Sequence, residues 1–272
     1  MLKKRLIFTL LYDNGNFMLS RNFRLQNVGD INWLVKNYDF SKISYSIDEL
    51  IVLDVTRSTR SIEKFSLILN QLTIGCFVPI SAGGGISDID SARRLLRAGA
   101  DKVVLNSVLF EKNECINELA SEFGKQCVVA SIDIKKSEDG EYKIYSQNGI
   151  KSHDCTAKEL IAKLCSYSVG EIYLNSMDRD GTGQGLNLEL LDLLPKEFNK
   201  PVILAGGAGN SSHLLEALQD PRVDAVATAN LFNFIGNGLR DARKSLVSSG
   251  IVLPMWDHEM FTSHLINDGK SL

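Results

Sequence analysis

Residues 48–59 read DELIVLDVTRST, and residues 170–181 read GEIYLNSMDRDG. Laid over each other they place Glu49 on Glu171, an offset of 122. Two more pairs follow in the same order at an offset of 123: SAGGGI over LAGGAG with Gly83 on Gly206, and RAGADKVVLNS over RVDAVATAN with Asp101 on Asp224. The chain therefore carries its own pattern twice. Around these pairs, short β-rich runs alternate with amphipathic stretches: LIFTLL, ELIVLDV, FVPISA, KVVLNS, CVVASIDI, EIYLNS, PVILAGG and DAVATA. Near-continuous apolar runs suit strands buried on both faces, and strand–helix alternation places them in a parallel sheet. In DIDSARRLLRAGA, residues Ala92, Leu95 and Leu96 share a helical face, and NSSHLLEALQD opens on cap-forming side chains from Asn210 to Ser212. An open doubly wound sheet gives no reason for a repeat after four strands. Two four-strand halves, each with a Gly-rich turn after its third strand, describe a closed barrel. The expectation is an α/β fold, a (β/α)8 TIM barrel built from two repeated half-barrels of about 1–122 and 123–252, with an extension over 253–272.

A chain of 272 residues, 44% hydrophobic and 23% charged, has enough apolar material for one such core. With a net charge of −3 and no long basic run, neither nucleic acid nor an anionic membrane surface is indicated. No apolar stretch approaches the ~18 residues needed to span a bilayer. The start, MLKKRLIFTLLYD, is basic and then apolar, but Asp13 interrupts it and no small-residue cleavage pattern follows, so a cytoplasmic location is expected. Five cysteines (76, 115, 127, 155, 165) lack C-x-x-C spacing and read as buried thiols. The four histidines (153, 213, 258, 264) have no H-x-x-x-H arrangement, so no metal and no cofactor are expected.

In a barrel of this kind the strand C-terminal ends share one face, where the loops build the site. Gly84 and Gly85 follow strand 3, with Asn106 and Ser107 after strand 4. Gly206 and Gly207 follow strand 7, with Ala229 and Asn230 after strand 8. Glycines let backbone N–H groups approach an anion closely. Such turns also occur for purely local reasons, but a duplicated pair half a barrel apart favours a small molecule with a phosphate at each end. DRDGTGQG (178–185) follows strand 6; Asp180, Gly181 and Thr182 are placed to face the second cradle, and the glycines suit a mobile lid. The repeat also sets RLIFTLLYD over CVVASIDIK, with Leu11 on Asp133. One half offers a carboxylate where the other offers an isobutyl group.

MLKKRLI, IDELIVLDV, GGGISD, RAGADKVVLNS, VVASIDIK, SMDRDGTG and LAGGAG together resemble the cyclase subunit of imidazole glycerol phosphate synthase, from Met1 to about Val252. The resemblance implies a glutaminase subunit on the N-terminal face of the barrel, with ammonia crossing the interior to attack a bisphosphate intermediate at the other face. It implies two catalytic aspartates, ending strands 1 and 5. The second is Asp133; the first falls on Leu11, and a substrate-closing lysine falls on Leu19. A leucine can neither shuttle a proton nor bind an anion, and Asp13 is the nearest substitute along the strand. The family's charged floor maps onto Arg5, Glu49, Lys102 and Glu171, which gate ammonia, and Asp101 maps onto a position facing the glutaminase. Solvated charges at strand ends are the plainer account of those four. Yet Arg5 and Lys102 have no charged counterparts in the repeat, where Cys127 and Ala225 stand, and two cations with two anions balance on one narrow floor.

The residues by themselves show a missing strand 1 acid and a kept floor. The resemblance implies a paralogue that has lost histidine-pathway cyclisation and still receives ammonia. It implies pairing with a glutaminase and an N-sugar amidotransferase, the nitrogen going to a surface-polysaccharide sugar. An active cyclase and a non-catalytic scaffold that activates its glutaminase remain the alternatives. In PMWDHEMFTSHLINDGKSL, Trp256, Met260, Phe261 and Leu265 suit a short amphipathic helix.

Overall fold

The computed structural model describes residues 3–37, 43–111, 113–229 and 238–255. The first half runs β1 (Arg5–Asp13), β2 (Asn16–Arg21), β3 (Arg24–Asp30), α1 (Ile31–Asn37), β4 (Glu49–Asp54), α2 (Ile62–Thr73), β5 (Ile80–Gly83), α3 (Ile89–Arg97), β6 (Lys102–Leu105), α4 (Val108–Glu111) and α5 (Asn113–Phe123). The second runs β7 (Val128–Lys136), β8 (Tyr142–Ser146), β9 (Lys151–Thr156), α6 (Ala157–Leu164), β10 (Glu171–Ser176), β11 (Val202–Ala205), α7 (Ser211–Gln219), β12 (Ala225–Thr228) and α8 (Gly238–Ser248). Eight strands pair in parallel in the order β1, β4, β5, β6, β7, β10, β11, β12, and β12 returns to β1, which closes the barrel. These are the eight runs expected from sequence.

Strand parity explains how one barrel holds both an apolar lumen and two polar ends. Along β1, Leu6, Phe8 and Leu10 join the outer core between strands and helices, while Ile7 joins the lumen. Arg5, Thr9 and Leu11 share Ile7's parity, so they too face inward, from the floor to the mouth. Glu49, Ile51 and Leu53 of β4 and Glu171, Tyr173 and Asn175 of β10 repeat the arrangement. The lumen cluster is Ile7, Ile51, Val104, Val129, Tyr173, Ile203, Ala205, Ala225 and Ala227, all buried. Small alanines on β11 and β12 face larger aliphatics elsewhere, the alternation a packed barrel needs.

Side-chain caps start the helices where the sequence offers them. Ser61, Asp88 and Asn210 accept from Lys64 N, Ser91 N and His213 N, and Thr156 with Glu159 forms a reciprocal capping box on α6. Between β10 and β11 the connection is a 3-10 turn (Leu188–Leu193) rather than an α-helix, burying Leu190 and Leu191. The cysteines are free, but only Cys115 is buried, and Cys165, at the C-cap of α6, is exposed; the expectation of five buried thiols is corrected.

Two hairpins were not expected. β2–β3 follows β1 and β8–β9 follows β7, so each half carries an antiparallel ribbon after its first barrel strand. Asn14-Gly15 turns β1 into β2 with φ of 49° and 100°, and Asn148-Gly149 lies in the β8–β9 turn with φ of 58° and 78°. Asn-Gly is the residue pair that tolerates left-handed backbone in tight hairpins. Trp256, Met260, Phe261, Leu265 and Asn230 lie outside the described residues.

Candidate functional site

The strand C-terminal ends open into a cleft of about 510 Å³. It gathers Leu11, Gly84, Gly85, Asn106, Ser107, Asp133, Asp180, Gly181, Gly206, Gly207 and Ala229, the residues the sequence assigns to chemistry and phosphate. At Gly84 the backbone has φ +108°, and a Cβ there would stand 2.2 Å from the Asp54 carbonyl oxygen. Only glycine lets the first cradle sit this close to β4.

Asp133 lies in the C-terminal half of β7, the fifth barrel strand, four strands from β1 in either direction and hence across the mouth from it. Its carboxylate accepts from Asn175 Nδ2 at 2.9 Å and Asn106 Nδ2 at 3.3 Å. Burial pushes its pKa up to about 6, against the two amide donors and with help from the charge of Asp180. A carboxyl titrating there can exchange protons near neutral pH. Burial likewise raises the Asp180 carboxyl and the Tyr173 phenol.

Leu11 stands beside Leu53 across the β1–β4 pairing, and both line the cleft. Leu11 and Leu53 thus give this part of the mouth two aliphatic side chains, with Thr9 and Ser20 the polar residues beside them on the cleft wall. Asp13 pairs with Asn16 at the hairpin, and neither it nor Leu19 lines the cleft. Asp180 does line it, but its Oδ2 accepts from Ser20 Oγ at 2.5 Å and Phe23 N at 3.0 Å, so it anchors the first hairpin. Thr182 bonds within its own loop, to the Arg179 carbonyl. Gly181 sits under the same hairpin at φ +65°, with the Ser20 oxygen 2.0 Å from a would-be Cβ. Gly181→Ala should cost about 1–3 kcal/mol. It should also speed hydrogen exchange at Asn22, whose amide donates to the Asp180 carbonyl at 2.8 Å.

At the other end of the lumen the four predicted floor residues form a closed ring. Arg5 donates to Glu49 at 2.8 Å and to Glu171 at 2.6 Å. Lys102 donates to Glu49 at 3.0 Å and pairs with Glu171. Ser81 Oγ adds a bond to Glu49 Oε1. Burial alone would raise the Glu171 pKa, but Arg5 and Lys102 outweigh it and hold the carboxyl below its usual range. Asp101, exposed beside the ring, accepts from Ile80 N at 2.8 Å, as its repeat partner Asp224 does from Val202 N at 2.9 Å.

Asp54, Arg57, Arg60 and Asn148 also line the cleft and are not among the residues the repeat singles out. An acid closing the second strand was the available signal for Asp54. The others sit on loops whose path the sequence does not reveal. Among the described residues there is no cluster of histidine, cysteine and carboxylate side chains able to hold a metal, and no helix long and apolar enough to cross a membrane.

A family profile described as "Histidine biosynthesis protein" matches residues 23–236. A Parasynechococcus marenigrum protein provisionally named imidazole glycerol phosphate synthase subunit hisF2 is 47% identical over 244 residues, covering 90% of each chain. Imidazole glycerol phosphate synthase subunit HisF of Caulobacter vibrioides is 36% identical over 253 residues, 92% of this chain and 96% of that one. The HisF subunit of an Exiguobacterium species is 36% identical over 234 residues, 86% and 89% of the two chains. With a closed barrel of this topology and matches spanning the cleft and most of the chain, the protein belongs to the histidine biosynthesis family, alongside the HisF subunits of imidazole glycerol phosphate synthase.

Proposed function

We propose that the chain is the barrel subunit of a glutamine-dependent amidotransferase assembly. A glutaminase docks on the floor face, ammonia crosses the lumen, and the nitrogen emerges at the cleft. There it serves a sugar of surface-polysaccharide biosynthesis, with an N-sugar amidotransferase as the further partner, while histidine-pathway cyclisation is lost. The observation that carries this reading is Leu11, an aliphatic side chain lining the mouth across from Asp133. The similarity to proteins named as subunits supports an assembly of more than one chain.

The floor and lumen support the nitrogen path. Neutral ammonia passes an apolar lining at far lower cost than ammonium, which would leave its water shell without a partner. A ring with two positive and two negative members offers such a solute little net field. Asp101, at the rim of that floor, is proposed to meet the glutaminase through whatever acceptor capacity Ile80 N leaves it.

The test supplies amide-labelled glutamine, the glutaminase and the candidate sugar amidotransferase, with and without this chain. Label should reach a sugar product only when the chain is present. Glutamine hydrolysis that rises with the chain while label never leaves as amidated sugar would overturn the reading in favour of a scaffold. An active cyclase is the second reading, favoured by Asp180, a carboxyl lining the cleft whose charge acts on Asp133 and whose own pKa burial raises. Rescue of a cyclase-deficient histidine auxotroph would establish it; soluble protein without rescue would remove it.

A further inference from the structure

Two hydroxyl-bearing side chains meet where the lumen opens into the cleft. Thr9 on β1 and Tyr173 on β10 are 4% and 5% exposed, and both line the cleft. The Thr9 hydroxyl is buried with no hydrogen-bond partner among the described residues. A buried hydroxyl left unpaired is costly, so one that faces a cavity marks the place of a small bound molecule.

β10 stands three places from β1 around the barrel, so Tyr173 has to extend across the lumen to come near Thr9. It does so: burial raises the pKa of the phenol, the Thr9 hydroxyl draws it down, and the charges of Asp133 and Asp180 push it up. The two hydroxyls stand close without closing a direct bond. Tyr173 also packs in the lumen cluster with Ile7, Val129 and Ala225, which makes its ring a bar across the bore. Ser131, its register partner on β7, is buried, lines the same cleft and brings a third hydroxyl to this level. One step down at the same parity, Ile7 and Val129 are aliphatic. One step up on β7 and β10 stand Asp133 and Asn175. The lining turns from apolar to polar at Tyr173.

We infer that Thr9 and Tyr173, with Ser131 beside them, form a station for one small neutral molecule that both donates and accepts hydrogen bonds, and that this molecule is ammonia passing from the lumen to the cleft. The station itself is independent of the nitrogen path; its assignment to ammonia rests on that proposed function. The phenol donates to the ammonia lone pair, and ammonia N–H groups donate to the hydroxyl oxygens of Thr9 and Ser131. Because the phenol holds its proton more tightly than usual, it donates without transferring it, and ammonia stays neutral and nucleophilic. Tyr173 is then the exit gate: its ring bars larger solutes, and its hydroxyl receives one that fits.

The experiment follows the tyrosine Cζ resonances of the full chain, prepared with isotope-labelled tyrosine, as ammonium chloride is added at alkaline pH. Potassium chloride at equal strength is the salt control, and Tyr173→Phe assigns the resonance. A saturable shift of the Tyr173 resonance is expected, reduced severalfold in Thr9→Val and absent at acidic pH, where the added nitrogen is ammonium. In ammonia-free buffer, where water fills the station, Thr9→Val should lower the urea midpoint, because it strips a partner from a bound molecule. Removing a bare, unpaired hydroxyl would instead leave the midpoint unchanged or raise it. A Tyr173 resonance that ignores ammonia would overturn the assignment to ammonia, and an unchanged or raised midpoint would overturn the station. These readouts involve no glutaminase and no turnover. If the shift is seen while labelled amide nitrogen never reaches a sugar product, the station stands and the proposed function falls.

Discussion

Lys102→Ala is expected to lower the stability of the barrel and to uncouple glutamine hydrolysis from nitrogen delivery. Glu49 and Glu171 are only 2% and 7% exposed in their side chains, and Lys102 is one of two cations that neutralise them. Removing one partner of a buried pair costs 3–5 kcal/mol when the site is dry; with Lys102 one-fifth exposed, about 2–3 kcal/mol is expected. For a domain of this size that is a fall of roughly 5–10 °C in melting midpoint. The ring then carries net negative charge and holds ammonium instead of passing ammonia. Hydrolysis by the partner should continue while labelled nitrogen in product falls severalfold. Glu171→Gln makes the contrasting variant: it leaves the ring net positive, destabilises it, and repels ammonium. If both variants delivered nitrogen as well as the parent, the ring would not be a gate. The ring also carries a pH signature. Because the Glu171 pKa is lowered, its contribution is complete above the ordinary carboxylate range and is lost as pH falls through the folded value.

Asp133→Asn should have the opposite effect on stability and a larger one on chemistry. The Asp133 carboxyl is raised to about 6 by burial, so folding holds a proton that the unfolded chain releases. Below the ordinary value near 3.8 both states are protonated and there is no difference. As pH rises toward 6 the folded state becomes progressively penalised, and above it the full cost is present. Two pKa units correspond to nearly 3 kcal/mol, and with solvent entering the cleft about 2 kcal/mol is expected. Asp133→Asn should therefore be more stable than the parent at pH 7.5 by about 2 kcal/mol, with the difference shrinking to nearly nothing at about pH 3. Any reaction in the cleft that relays a proton through Asp133 should slow by about 10²–10⁴. Urea unfolding at the two pH values checks the first part; an unchanged difference between them would show that the carboxyl is not strained.

The barrel was readable because its evidence is periodic and internal. Glu49 over Glu171 and Gly83 over Gly206 fix two half-turns of the same architecture, and strand parity then dictates that Arg5 sits at the floor and Leu11 at the mouth. The convergence of Gly84, Gly85, Gly206 and Gly207 on one mouth was readable for the same reason. The two hairpins were not, although Asn14-Gly15 and Asn148-Gly149 mark both, because their strands bury little and so lack the alternation that a core imposes. RLQNVGD in β3 has no buried residue at all. The position of Arg60 in the cleft was beyond reach for a different reason: it meets Asn148, 88 residues away in the chain, only across the mouth.

Those hairpins have a consequence for how the protein behaves in a crowded solution. A closed barrel has no unpaired strand, but the excursions reintroduce two rims, since among the described residues β3 pairs only with β2 and β9 only with β8. An open rim is an invitation to recruit a stranger's backbone, the first step of sheet-driven aggregation. Both rims are spelled in residues that resist it, RLQNVGD and KSHDCT, with charged or polar side chains at most positions. Making β3 hydrophobic, as by joint Gln26→Val and Asn27→Val, should leave the barrel intact and raise self-association over the parent, read by light scattering at equal concentration.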